Sequence, residues 1–353
     1  MELSKFFKDE FKKLFKVIRI VYSKSPFDFT LLKLINNQRK ALKIRKSYSK
    51  VGVHIPPMLL ISVTEKCNLR CKGCYAKHFE ENFIHDEKEL SIEDYTRIFN
   101  EASSLGISII TLVGGEPLLR KDLIELCTNY KNIVFSIYTN GLLFGNSYKE
   151  IFLRNRNLIP FFSIEGYKDE TDDRRGNGVY DLVLEKMKWI KENNLIYGVS
   201  ITVTSLNLDT VTSDDFVKML YDLGCVYISY VEYEAMDEDP SSLQLTKELR
   251  QKHLANYEFT KNKYKKIFFT SYPDFEYRSG GCLGAGKGFI HINAYGNVEP
   301  CNFVHISDCN IKNKSILEAL ESPLFKKLIN DGLLDNNHNG QCALLANKDK
   351  LAR

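Results

Sequence analysis

Cys67-Asn68-Leu69-Arg70-Cys71-Lys72-Gly73-Cys74-Tyr75 places three thiols on one short loop, spaced CxxxCxxC. Thiolates are soft ligands that select iron–sulfur clusters, zinc or Cu(I), and a loop this short wraps three corners of a cluster but not four. The missing fourth ligand is informative. A [4Fe-4S] cube held by three cysteines leaves one iron open to a substrate or cofactor. A structural zinc site is the competing reading, because zinc wants four closed ligands and His78 is near enough in sequence to supply the last.

Working outward from this loop, strand and helix patterns alternate six times. The strand candidates are 58–63, 107–113, 133–138, 159–164, 197–203 and 226–231, each short, β-branched or aromatic and almost continuously apolar. That is the signature of parallel strands covered on both faces. Helical patterns fall between them at 92–104, 123–130, 148–154, 180–193 and 214–223. Right-handed βα units of this kind predict an α/β fold, an open (βα)6 partial barrel of TIM type. Parallel barrels carry their chemistry on the loops after the strands. The cysteine loop follows strand one, Gly114-Gly115-Glu116-Pro117 ends strand two, and Thr139-Asn140-Gly141 ends strand three. Ser163, Glu165 and Gly166 end strand four, Thr202 and Thr204 strand five, and Glu232, Tyr233 and Glu234 strand six. All are expected on one rim.

CNLRCKGCY followed forty residues after Cys74 by GGEP resembles the radical S-adenosylmethionine (radical SAM) enzymes. The resemblance implies that Cys67, Cys71 and Cys74 hold a catalytic [4Fe-4S] cluster whose open iron chelates S-adenosylmethionine. Reductive cleavage would then release a 5′-deoxyadenosyl radical that takes hydrogen from a substrate. It also implies that Tyr75 lies near the adenine, that Gly114 and Gly115 bind the methionine amino group with Glu116 as a nearby acceptor, and that Ser163 faces the ribose or carboxylate. Arg175, in the Asp-Asp-Arg-Arg-Gly turn after strand four, is the candidate for the methionine carboxylate, and Thr202 for a contact from strand five. Each has a plainer reading: a packing tyrosine, a loop arginine, a structural barrel threonine.

A second cysteine group comprises Cys282, Cys301, Cys309 and Cys342. The spacing C-x13-G-x4-C from Cys282 through Gly296 to Cys301, with a hairpin across 293–298, resembles the opening of the SPASM and twitch accessory iron–sulfur domains. A full SPASM domain continues with a CxxCx5CxxxC run, and nothing of the kind follows Cys301, so a shortened, twitch-like module with one cluster is implied. Cys282, Cys301 and Cys342 are its expected ligands, with Cys342 placed after an intervening helix at 316–329. Cys309 is either the fourth ligand or a bystander, and the fourth corner could equally be another residue, a substrate atom or water. Alternatively this cluster has been lost and the thiols are packing residues. Cys127 and Cys225 sit in apolar contexts and read as core.

The chain therefore divides into a basic helical arm (1–57), the barrel (58–245), a linking helix and strand (246–278) and an accessory segment (279–353). Residues 1–50 carry a local charge of +10, so the remainder sums to −6. In the arm, Phe7, Phe11, Leu14, Phe15, Ile18, Val21 and Tyr22 recur at helical spacing. This stripe either packs over the barrel or rests residues 1–24 on anionic lipid or an acidic partner. Nothing apolar is long enough to span a membrane and no secretory segment is evident, so a cytoplasmic protein with reduced thiols is expected, with peripheral membrane contact as a variant. No groove-reading motif accompanies the basic arm, and no nucleic-acid partner is expected. The resemblance implies an oxidoreductase or maturase that takes electrons from a reductant such as flavodoxin or ferredoxin and acts on a peptide, a protein or a small molecule. The alternative is a zinc-binding interaction protein with a membrane- or partner-binding arm.

Overall fold

Each apolar run of the sequence becomes one strand of a single sheet, because its residues alternate between two covered faces. In a computed structural model that describes residues 12–14, 16–17, 29–76, 88–235, 241–274, 276, 280–335, 342–347 and 350, the strands are β1 (Met58–Ser62), β2 (Ile109–Val113), β3 (Val134–Thr139), β4 (Leu158–Ser163), β5 (Gly198–Val203), β6 (Tyr227–Glu232), β7 (Phe268–Tyr272), β8 (Phe289–Ile292) and β9 (Val298–Glu299). Their order is β7-β6-β5-β4-β3-β2-β1-β8-β9, parallel throughout except for the β8–β9 hairpin. The six predicted strands are present. Three more extend the sheet at its two edges, β7 beside β6 and β8 beside β1.

Helices α1 (Phe29–Ser49), α2 (Ile92–Leu105), α3 (Lys121–Cys127), α4 (Asn146–Arg154), α5 (Lys168–Arg175), α6 (Val179–Glu192), α7 (Asp214–Asp222) and α8 (Lys247–Lys263) follow the chain around it. The helix start at α2 is set by a Ser91/Asp94 capping box, which satisfies two amides that the first turn leaves unpaired. Two differences from the sequence reading have local causes. The turn expected after strand four contains a two-turn helix, α5, ended at Gly176. The single helix expected across 316–329 is two, α9 (Ile316–Leu320) and α10 (Pro323–Asn330). Pro323 has no amide to continue α9, and Ser322 instead caps α10 by accepting from the Phe325 amide.

The helix-covered face of the sheet packs Phe99 of α2 on Phe135, with ring centroids 5.2 Å apart. On the opposite, concave face a layer of rings fills the lower barrel. Tyr138 stacks on Phe161 at 4.8 Å, Phe161 meets Tyr227 at 5.0 Å, and Tyr227 meets Phe268 at 5.0 Å. The next inward layer toward the rim is made of hydroxyls: Ser163 pairs in register with Ser200, Ser200 with Ser229 and Ser229 with Thr270. The interior thus changes from aromatic to polar on the side where the loops gather. Beneath the rings, Val17 is buried with Ile196, Val226 and Phe268, and Leu14 packs beside it. These two arm residues close the barrel base. The remainder of the predicted stripe (Phe7, Phe11, Phe15, Ile18, Val21 and Tyr22) lies outside the described residues. Among the described residues no helix is long and apolar enough to cross a membrane.

Under β7, α8 buries His253, whose Nε2 meets Ser271 Oγ at 2.7 Å. Burial lowers its pKa from 6.5 to about 4. Between those values the unfolded chain binds a proton that the folded chain refuses, so stability falls as pH drops through this window. His253→Gln keeps a polar partner for Ser271 and removes the titration. Urea midpoints at about pH 7 and pH 4.5 should show the parent losing of the order of 2–3 kcal/mol more than the variant. Equal losses would contradict a neutral buried histidine.

Candidate active site

The C-terminal ends of β1 and β2 are joined by direct backbone contact. The Gly115 amide donates to the Thr64 carbonyl at 2.7 Å and the Glu116 amide to the Lys66 carbonyl at 2.9 Å. A Cβ on Gly115 would stand 2.1 Å from the Lys66 oxygen, and one on Gly114, at φ +129°, 2.4 Å from that of Thr64. The paired glycines therefore let the strand-two turn lie against the base of the cysteine loop.

Glu116 is buried, and both its oxygens are engaged by the chain itself. Oε1 accepts from the Leu118 amide at 2.9 Å and the Thr139 hydroxyl at 2.7 Å, and Oε2 from the Asn140 amide at 2.8 Å. Burial pushes its pKa up against the pull of these donors. Glu116, the acceptor expected beside a methionine amino group, fastens the β3 end. It sets Asn140, whose Nδ2 reaches to 3.8 Å from Cys67 Sγ and donates to Asn68 Oδ1 at 2.8 Å.

A second buried carboxylate organises the opposite side of the loop. Glu165 Oε1 accepts from Arg174 Nη1 at 2.8 Å and from Arg175 Nε at 2.9 Å, with Arg175 Nη2 closer still. Its Oε2 accepts from the Thr202 amide at 2.9 Å. Arg175 turns Nη1 toward Cys71 Sγ at 4.0 Å. The Arg175 guanidinium, expected toward a methionine carboxylate, gives Nε and Nη2 to Glu165, which the run of α5 back over the end of β4 brings within reach. The α5 end is stitched to the cysteine loop by the Lys72 amide to the Arg174 carbonyl at 2.9 Å and by Arg174 Nη2 to the Gly73 carbonyl at 3.3 Å. Thr202 joins through its backbone, and Ser163 lies in the hydroxyl layer just below.

Cys67, Cys71 and Cys74 are free thiols of intermediate exposure. Burial raises the pKa of Cys67, and the neighbouring Glu116, Cys71 and Cys74 raise it further. Burial also raises Cys71, opposed by Arg175. Thiols that oppose one another's ionisation in a partly dry loop suit a cationic guest, which reverses the opposition. Among the described residues no group of three or more His, Cys, Asp or Glu is set to hold a single metal ion, and His78 lies outside them. A multi-iron cluster, which bridges thiols that do not themselves converge on one point, is the guest these residues fit.

Tyr75 leaves the loop to meet Phe303, with centroids 5.1 Å apart, so it touches the accessory segment. Between them opens a cavity of about 170 Å³, lined by Tyr75, Gly114 and Gly115 on one side and by Asn293, Glu299 and His305 on the other. Its far wall was not anticipated from the sequence. Glu299 takes His291 Nδ1 at 2.8 Å, His305 Nδ1 at 2.9 Å and Asn293 Nδ2 at 2.9 Å, while His291 Nε2 meets Ser62 Oγ at 2.8 Å. Burial pushes Glu299 up, but the two histidines outweigh it and its pKa is lowered. His291 and Glu299 face each other across the β8–β9 hairpin, and that register was the one available signal.

Residues 61–223 match the family model described as the radical SAM superfamily. That segment, a little under half of the chain, is similar to the radical SAM superfamily. A [4Fe-4S] cluster and S-adenosylmethionine are the cofactors that this match supports. GTP 3′,8-cyclase of Clostridium perfringens is 30% identical over 171 residues, 47% of this chain and 51% of that protein. Fe-coproporphyrin III synthase of Methanosarcina barkeri is 31% identical over 182 residues, 48% and 44% of the two chains. The chain thus spans about half the length of these curated relatives. The structure of Streptococcus suis SuiB, 18% identical, shares the fold with a TM-score of 0.66 over 93% of this chain and 79% of that one. SuiB has also been solved with S-adenosylmethionine and with its precursor peptide SuiA.

The later cysteines, beyond the matched segment, separate into a group and an outlier. Cys282 and Cys301 are buried, and their thiols and that of Cys342 lie in one another's field. Cys309 stands apart: its thiol feels Asp308, Glu318 and Lys314 and none of the other three. At the end of β6, Glu232 pairs with Arg250 and Glu234 accepts from Gln244 at 3.5 Å, while residues 236–240 lie outside the described residues.

Removing the Glu165 charge strands two guanidiniums in a buried site. Glu165→Gln should lower the free energy of urea unfolding by about 3–5 kcal/mol. A loss below about 1 kcal/mol would show the clamp to be dispensable.

Proposed function

We propose that this chain is a radical SAM enzyme in which Cys67, Cys71 and Cys74 hold the catalytic [4Fe-4S] cluster and Cys282, Cys301 and Cys342 a second one. The observation that carries the reading is the three-thiol loop, opposed in ionisation and fixed between the Glu116 and Glu165 fasteners at the rim of a parallel half-barrel. When bound, the cluster and S-adenosylmethionine supply one-electron cleavage to a 5′-deoxyadenosyl radical that abstracts hydrogen. The chain's own residues do the placing. Asn140 and Arg175 present N–H groups to Cys67 and Cys71, hydrogen bonds that stabilise thiolate charge. Tyr75 and the glycine turn border the cavity, and the Glu299 wall closes it from the accessory side.

For the substrate, a peptide or protein is the reading favoured, with oxidation or crosslinking as the outcome. Its support is the SuiB likeness, which spans the accessory segment as well as the barrel, together with the match to the PqqA peptide cyclase of Rhizobium meliloti, 26% identical over 70% of this chain. A small-molecule substrate remains the second reading, supported by the names of the GTP and coproporphyrin enzymes and their higher identity. Electrons would come from a reductant of flavodoxin or ferredoxin type.

The deciding experiment measures 5′-deoxyadenosine formed from S-adenosylmethionine after anaerobic reconstitution and chemical reduction. The parent protein should form it and Cys71→Ala should form none above background. Equal yields from the two proteins would overturn the assignment of this loop.

A further inference from the structure

The end of the barrel opposite the cysteine loop carries a charged surface that the chemistry of the rim does not use. No Asp or Glu occurs between Asp28 and Glu65, and α1 lies within that stretch. One face of α1 is fixed to the entrances of β2 and β3. Gln38 Nε2 donates to the Ser108 carbonyl at 3.2 Å, Asn37 Nδ2 to the Lys131 carbonyl at 3.2 Å, and Arg45 to the Gly106 carbonyl. Ala41, on the same face, is buried, and a Cβ on Gly106 would stand 2.6 Å from its carbonyl oxygen. At about 100° per residue the exposed Lys33, Arg39, Lys40, Lys43 and Lys46 then fall on the other face, within about 140° of arc and over about 20 Å of helix. Lys50 continues the row just beyond the last turn. Among the described residues none of these six cations meets a carboxylate.

The turns beside α1 carry the same sign. Those that enter β3, β4 and β7 present Lys131, Arg156, Lys265 and Lys266, and none of their residues 128–133, 155–157 and 264–267 is acidic. Lys16, next to the buried Val17, opens onto this end as well. The buried carboxylates Glu116, Glu165 and Glu232 belong to the opposite end. Positive charge gathered on one end of a fold turns that end toward an anionic surface. Two exposed aliphatic side chains stand among the cations, Val51 at 74% exposure and Leu42 at 37%. Lysines interleaved with aliphatic groups suit the headgroup and acyl boundary of a bilayer, whereas single-stranded RNA calls for aromatic rings on which bases stack.

We propose that the basic base of the barrel is a docking surface for an anionic phospholipid bilayer, held by the cations of α1 and of the strand-entry turns, with Leu42 and Val51 at the acyl boundary. Each such cation is worth about fivefold in partition at low salt. Docked in this way, the chain holds its cysteine loop away from the lipid, on the aqueous side. The assignment is independent of the radical chemistry, and its test reads binding alone.

The test is flotation of the full chain with vesicles of phosphatidylcholine alone, and of phosphatidylcholine with phosphatidylglycerol added. The parent should float with the anionic vesicles and not with the neutral ones. Salt at about 0.5 M should release it, because screening shortens the reach of these charges to a few ångströms. Arg39→Glu, Lys40→Glu, Lys43→Glu and Lys46→Glu combined should lower the partition coefficient at least about tenfold. Lys265→Glu with Lys266→Glu, on a different element, should lower it in the same direction, which keeps the test open if the α1 variant fails to fold. Lys121→Glu with Lys247→Glu reverses two charges at helix starts on the rim side, where acidic residues are favoured, and should change partition by less than about threefold. A parent that ignores anionic vesicles, or floats equally with neutral ones, would overturn the proposal. So would full binding by the folded α1 variant, or a loss in the rim-side pair equal to that of the Lys265 and Lys266 pair, which would reduce the effect to net charge. A single-stranded RNA that strips the protein from anionic vesicles, and is not itself displaced by them, would give the surface to a nucleic acid instead.

Discussion

One carboxylate, Glu165, ties together more of this molecule than any thiol does. Sequestered at the top of β4, it engages two guanidiniums and a backbone amide of β5. Arg174 and Arg175 in turn reach the cysteine loop, which arrives from β1 on the other side of the sheet. A buried carboxylate is costly unless its hydrogen-bonding capacity is filled, and here its partners come from two segments, the end of α5 and β5, that separate loops bring together. The order of those loops is the condition on which the burial is tolerated. Glu116 repeats the arrangement across β2 and β3, so the thiol loop is held between two buried anions, each neutralised or hydrogen-bonded in a different way.

This division also explains how much could be read from residues alone. Parallel strands covered on both faces must be apolar almost throughout, so β1 to β6 stood out, and the thiols and glycines marked the loops of the rim. The family resemblance and the half-barrel were therefore legible before any coordinates. The side-chain roles were less so. Glu116 and Arg175 carried the right chemistry for a ligand, but their partners, Thr139, Asn140 and Glu165, are fixed by the meeting of different strands, which no local pattern records. The Glu299 wall escaped notice because a histidine and a glutamate eight residues apart have no meaning until a hairpin sets them face to face. The break between α9 and α10 was readable, since Ser-Pro is a helix start, but the apolar periodicity ran through it.

The two sets of cysteines live in contrasting surroundings. Around Cys71 stand two arginines, and the loop is partly open to water. Around Cys282 the neighbours are other thiols and a carboxylate, in the dry core of the accessory segment. Positive surroundings stabilise the reduced, more negative state of an iron–sulfur centre, and negative surroundings disfavour it. The fold therefore offers two thiol sites of different electrostatic character within one chain, one beside guanidiniums shared with Glu165 and one beside a carboxylate.

The hydrogen-bond ladder between β8 and β1 has a mechanical consequence. Four register pairs join the accessory segment directly to the strand that delivers the cysteine loop. Such a junction has no hinge: parting the segment from the barrel would mean tearing a sheet from its interior, since β9 lies beyond β8 and β2 beyond β1. The wall formed by His291, Glu299 and His305 is therefore as stationary as the barrel itself. Whatever enters the cavity meets a fixed wall on that side, so the width between it and the Gly114-Gly115 turn sets the bulk of the molecule that can be admitted.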